Sequence, residues 1–253
     1  MWYTLGSDFG REENGTNMTM EIAILGTKIC GALLLGLLEG NGAVYLFNHM
    51  PPRWFCDYGE DPSPQLLDPY TQRIKSYPWK FLLSMLFMAC NLWMVMDNAQ
   101  FAAAASIALW LLTELSIADI KYRIVPDQLL ILLALTGLGF LPFYASWKQA
   151  LLGALIGFGF MMFIAIIGKM AYKRDAIGGG DIKLFASLGL LCGPAGIISI
   201  FLMTSFFSAG HYGMLLAAKK IKRTDTMPMV PYIAVSGAIY FLFLWGKLDA
   251  IAF

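Results

Sequence analysis

Asp119 and Asp181 are the residues of this chain best suited to chemistry. The first closes an apolar run, in Ala118-Asp119-Ile120-Lys121-Tyr122-Arg123-Ile124-Val125-Pro126-Asp127. The second opens another, in Gly178-Gly179-Gly180-Asp181-Ile182-Lys183. A carboxylate at a bilayer boundary is costly unless it is paired or faces water, which makes an acid there a functional candidate. Two of them, each beside a backbone-breaking proline or glycine signal, predict an acid pair that shares a proton. Close carboxyl groups resist ionising together, so such a pair holds one proton and titrates as a unit. The ionised member can take a proton from water as it attacks a carbonyl carbon, while the protonated member donates to the carbonyl oxygen. A peptide bond can be opened this way without a metal or cofactor.

Neighbouring residues suggest how a substrate would be held. Gly178, Gly179 and Gly180 leave the backbone before Asp181 free to bend and open to close approach. An extended peptide lying there could borrow backbone hydrogen bonds, as in β-augmentation. Lys183 reads first as a marker of the aqueous interface, and second as a group that tunes Asp181 or holds a substrate. Glu39, in Leu38-Glu39-Gly40-Asn41, is a further acid placed near the same boundary. It is a candidate contact for a positively charged substrate group, set against a plain interfacial hydrogen bond. Asp127, following Pro126, reads as a helix N-cap; Asp181 can cap as well, since Asp is a favoured cap residue. His49 and His211 are far apart, and the four cysteines form no C-x-x-C pair. Neither a zinc tetrad nor a disulfide framework is expected.

The elements that must position these acids are membrane helices. Of 253 residues, 58% are hydrophobic and 14% charged, against about a quarter charged in a soluble domain. Several apolar runs reach the roughly 20 residues that cross a bilayer. The expected fold is all-α, a polytopic integral membrane helical bundle of about eight transmembrane helices. The runs are 21–47, 80–97, 100–118, 128–145, 149–168, 182–192, 195–217 and 229–248. Residues 1–20 read as a polar extracytoplasmic N-terminal segment, and 21–253 as one transmembrane domain with a Pro-rich, turn-rich cytoplasmic loop at 48–79. Gly153, Gly157 and Gly159 in the fifth run predict close helix packing. The net charge of +1 suggests neither nucleic acid nor an acidic partner, and the apolar runs imply membrane lipid as the surroundings.

Basic residues orient the bundle. Arg53, Arg73, Lys75 and Lys80, then Lys121 and Arg123, then Lys169, Lys173, Arg174 and Lys183, then Lys219, Lys220, Lys222 and Arg223 fall on alternate loops. Only Arg11, Lys148 and Lys247 fall on the others, with Lys28 inside the first run. By the positive-inside rule the rich set is cytoplasmic. Asp119 and Asp181 are 62 residues apart in sequence yet reach the same membrane face.

The two aspartate segments resemble a known family. Asp119 with Ile124-Val125-Pro126-Asp127 is similar to the D-x(5–6)-P-[DN] element of prepilin peptidases. Gly178-Gly179-Gly180-Asp181-Ile182-Lys183-Leu184 is similar to their G-x-G-D-x-K-L element. Gly36-Leu37-Leu38-Glu39-Gly40 through His49-Met50-Pro51 also resembles the family's first span. The resemblance implies a multi-pass aspartic endopeptidase of the bacterial plasma membrane, with Asp119 and Asp181 as the catalytic pair. Its partners would be type IV prepilins or pseudopilins, cut at the cytoplasmic face to remove a short basic leader. Many members also methylate the new N-terminus using S-adenosylmethionine. Many carry two zinc-binding C-x-x-C pairs where this chain has only Cys56, and Asn and Arg where it has Val44 and His49. These departures weaken the implication of methyl transfer and leave the cleavage motifs untouched.

Two other readings compete. A proton-coupled transporter would use the acids as a relay, and would expect them near mid-bilayer in matching repeats. A presenilin-type or signal-peptide-peptidase-type protease also uses G-x-G-D, but pairs it with Tyr-Asp, where this chain has Ala118-Asp119.

Overall fold

Turn chemistry at the polar breaks sets where each apolar run becomes a helix. The structure is a computed structural model that describes residues 5–56, 59–68, 72–173, 177–222 and 227–247, without the side chains of residues 5–17 and Tyr172. Arg174 and Arg223 lie outside the described residues, as does the Arg11 side chain. The helices are α1 (Leu5–His49), α2 (Pro64–Leu67), α3 (Trp79–Asp97), α4 (Ala99–Tyr122), α5 (Asp127–Thr136), α6 (Trp147–Tyr172), α7 (Gly179–Ala217) and α8 (Val230–Ile239). A single 3-10 turn, Pro52–Phe55, follows α1. A longer one, Gly137–Phe143, extends α5, and π turns at Tyr240–Leu244 extend α8. No strand occurs among the described residues.

Among the described residues, five helices are long and apolar enough to cross a membrane: Met18–His49 within α1, α3, α4, Trp147–Ala171 within α6, and α7. Asp127–Phe143 and Val230–Leu244 are shorter apolar stretches. The all-α bundle expected from the sequence is therefore present. α1 is already helical from Leu5 and runs unbroken into the first apolar run. The caps are local. Asn98 Oδ1 accepts the Phe101 N–H at 2.9 Å to start α4, and Ser146 Oγ accepts the Lys148 N–H at 3.3 Å to start α6. α4 is the hub, with Ala105, Ala108, Leu112, Leu115 and Ala118 fully buried.

The sixth and seventh runs are two arms of α7, and the chain reverses between them. Gly193 takes φ 65°, ψ −175°, and Pro194 follows. Along a straight helix, sixteen residues would separate Phe185 from Phe201 by about 24 Å; their ring centroids are 6.0 Å apart. Residues 179–192 thus rise about 21 Å and turn back, too short an arm to span a bilayer alone. A break inside an apolar bundle orphans carbonyls that no water can reach. Two tyrosines satisfy them: Tyr144 Oη donates to Leu191 O at 2.6 Å, and Tyr240 Oη to Cys192 O at 3.3 Å.

Glycine then brings α6 against this hairpin. A Cβ on Gly153 would lie 2.2 Å from Gly189 O, and one on Gly157 would lie 2.4 Å from Phe185 O; Gly159 faces open space. The Pro-rich loop is pinned to the ends of α1 and α4. Arg73 donates to Met50 O at 2.6 Å and to Phe47 O at 3.1 Å, and its guanidinium lies 4.9 Å over the Phe55 ring. Asn48 exchanges two bonds with Ile74, and Lys121 donates to Arg73 O.

Removing a hydroxyl at the hairpin should expose its cost. Tyr240→Phe keeps the ring but orphans a buried carbonyl, and should destabilise the protein by about 1–3 kcal/mol. Thermal unfolding in detergent measures this, and an unchanged midpoint would disprove the role of the hydroxyl.

Candidate active site

α4 stops, and α5, α7 and α8 start, at one end of the bundle. α4 ends because Arg123 turns left-handed (φ 58°, ψ 29°), its N–H returning to Asp119 O at 3.0 Å. Asp119 is thereby fixed in the last turn, 7% exposed. Its Oδ2 accepts the N–H of Val230, the first residue of α8, at 2.9 Å. Gly178 is extended (φ −69°, ψ 143°) and precedes α7, whose first turn holds Asp181. The Asp181 N–H donates to Gly178 O at 3.1 Å.

Both acids line one pocket of about 660 Å³, together with Gly178, Gly179, Gly180, Asp127 and Lys183. Arg53, Glu60 and Asp61 of the Pro-rich loop contribute to the wall. Two segments 62 residues apart in sequence thus supply acids to the same polar cavity.

The remaining candidates divide. Lys183 does not reach Asp181: its Nζ sits 2.8 Å from both carboxylate oxygens of Asp127. The glycine triplet is also used differently from expectation. None of the three takes a positive φ, so no sharp bend demands them. Gly180 is needed for close approach, since a Cβ there would lie 2.7 Å from Val125 Cβ; Gly179 faces open space.

Glu39 lies apart from the pocket. It sits ten residues before the end of α1, about 15 Å along the helix, and is 8% exposed. Asn91 Nδ2 donates to its Oε2 at 2.9 Å, and Ser106 Oγ donates to Oε1. This corrects its placement near the membrane boundary: it bolts α1, α3 and α4 together inside the bundle. Val230 and Val125 were not singled out from the sequence. One acts through its backbone N–H and the other through its bulk, and neither leaves a chemical signature.

The fold and site define a polytopic, all-helical membrane-type protein with an aspartate pair in a polar pocket at one end. Residues 106–214 match the type IV leader peptidase family. They include both aspartates, and this match bears out the resemblance to prepilin peptidases. The chain is 32% identical over 173 residues to a prepilin leader peptidase/N-methyltransferase of Xanthomonas campestris pv. campestris, covering 68% of this chain and 59% of that protein. It is 28% identical over 167 residues to the Bacillus subtilis protein of the same name, covering 62% of each. It is 29% identical over 173 residues to the type 4 prepilin-like proteins leader peptide-processing enzyme of Escherichia coli O78:H11, covering 64% of this chain and 60% of that one. The chain therefore spans about three-fifths of the length of these relatives. No solved structure matches it.

The Gly180 contact is testable without any assay of chemistry. Gly180→Ala should lower stability by about 1–3 kcal/mol through overpacking, and adding Val125→Ala should return most of that loss. Gly179→Ala should stay within about 0.5 kcal/mol of the parent. Equal unfolding midpoints for the two alanine variants would remove the case for close approach.

Proposed function

We propose that this protein is a membrane aspartic endopeptidase that removes the leader from type IV prepilins or pseudopilins at the cytoplasmic face of the bacterial plasma membrane. The observation that carries the reading is one pocket holding Asp119 and Asp181, contributed by separate segments. The family match over those segments and the names of the relatives supply the substrate class.

The Val230 N–H can only donate, so Asp119 Oδ2 is committed as an acceptor. Asp119 is then the base: it takes a proton as water attacks the scissile carbonyl carbon, and Asp181 delivers its own proton to the carbonyl oxygen. Collapse of the tetrahedral centre breaks the C–N bond, the amine leaves with a proton, and the pair again holds one. The helix N-termini of α7 and α8 point at the site and favour negative charge there. Arg53 and Arg123 share the pocket wall with Glu60 and Asp61, while Lys183 is paired with Asp127. The cytoplasmic assignment rests on the basic loops, which converge at this end of the bundle.

The relatives' names include methyl transfer, and one further cavity among the described residues can be compared with its needs. A second cavity of about 510 Å³ between α1, α3 and α4 is apolar except for Thr27, Lys28 and Asn91. A lysine there would repel a sulfonium, and no acid lines the cavity to bind ribose hydroxyls. The described residues lining this cavity do not fit S-adenosylmethionine.

Asp119→Asn and Asp181→Asn each keep the shape of the side chain and remove the acid. Each should lower cleavage of a pilin-like precursor by at least about 10³-fold, with insertion and folding intact. Gel mobility of the co-expressed precursor and mass spectrometry of its new N-terminus report the result. Cleavage surviving in either variant refutes the pair.

A further inference from the structure

Lys183 stands where helix electrostatics disfavours it. It lies one turn into α7, near the positive end of the helix dipole, where a cation is unfavourable. It also cannot serve Asp181, because helix residues two apart do not face each other. Its Nζ instead grips both oxygens of Asp127, the first residue of α5, at 2.8 Å. The pair is half open to solvent, 51% and 30% exposed, and such pairs add little to stability.

Its place in the packing explains the arrangement better than its strength. α5 and the first arm of α7 run parallel from the pocket, touching at three successive points. Val125 meets Gly180, Asp127 meets Lys183, and Ser187 Oγ donates to Leu130 O at 3.4 Å. The first contact is apolar and the third is long. The ion pair is the one directional, charge-assisted contact of the three. The turn 123–126 links Asp127 to Asp119, and less than one helical turn separates Lys183 from Asp181. The register between the two first turns therefore sets the separation of the carboxyl groups. A slip of one residue would move Asp181 by about 1.5 Å and rotate it by about 100°, and a misplacement of about 1 Å can cost 100-fold in rate.

We infer that Asp127 and Lys183 are a positioning pair that locks α7 to the α4–α5 turn and so holds Asp181 in reach of Asp119. This rests on the proposed peptidase reading and adds to it the device that aligns the acids.

The test is a charge-swap cycle on the full chain in liposomes: Asp127→Lys, Lys183→Asp, and both together. Cleavage of a pilin-like precursor gives kcat and KM, and hydrogen–deuterium exchange of residues 179–186 gives a readout independent of activity. Each single variant should lower kcat at least 10-fold with KM within about threefold, and should speed exchange in that segment. The double variant should recover at least 10-fold in kcat over either single, restore slow exchange and keep the parent pH–rate profile. Multiplicative losses in the double variant overturn the inference. So does a pH–rate profile that shifts with Lys183→Asp and stays shifted in the swap, because that would show Lys183 acting on the acids directly. If the parent cleaves nothing, the peptidase reading fails, while the exchange cycle still decides the pair: restored protection supports the lock, and none removes it.

Discussion

Two carboxyl groups at the edge of an apolar bundle face two costs, loss of water and mutual repulsion, and the fold meets both with helix ends. α5, α7 and α8 all begin where α4 stops, so three positive helix termini surround the acids. Asp119 binds the first N–H of α8, and Asp181 lies in the first turn of α7. A carboxylate from the C-terminal turn of α4 would be poorly placed against its own helix dipole. It is tolerable because another helix starts against it.

Connectivity follows from that demand. For three helices to begin at one face, the chain must return there between each, and the connections must alternate up and down. The first arm of α7 departs from the pocket and turns at Gly193, and the second arm comes back so that α8 can rise from Val230. Without the reversal, α7 would end at the far side and α8 could not reach Asp119. The hairpin in turn depends on distant side chains. Tyr144 and Tyr240 fill the hydrogen-bonding gap, and Gly153 and Gly189 let α6 lie against the first arm. Contacts at the far end of the bundle thus sustain geometry at the near end.

What the sequence disclosed follows the reach of each signal. Apolar runs and polar breaks gave the helices because hydropathy is local. The acids stood out because a charge inside such a chain demands a reason. Gly193-Pro194 was visible as a break, but its angle was not, since the reversal is held by partners 47 and 48 residues away. Glu39 was misplaced for the same reason. Its partners Asn91 and Ser106 stand 52 and 67 positions off, and an acid next to glycine looks interfacial until they appear. Lys183 read as a surface marker because its partner lies 56 positions away.

The glycine triplet shows how one motif can hold unequal parts. Gly178 leads the backbone into α7 in an extended conformation open to any residue, Gly179 faces space, and Gly180 alone meets a neighbour, the Val125 side chain. Val125 belongs to the segment that carries Asp119, so the small residue beside the second acid fits a large residue beside the first. The two motifs are therefore halves of one packed surface as well as sources of two acids. A change in the volume of either half would alter the gap between the carboxyl groups while leaving both aspartates in the sequence. Possession of the acids is therefore insufficient for the proposed chemistry: their spacing depends on the fit between Val125 and Gly180 as well as on the Asp127–Lys183 pair.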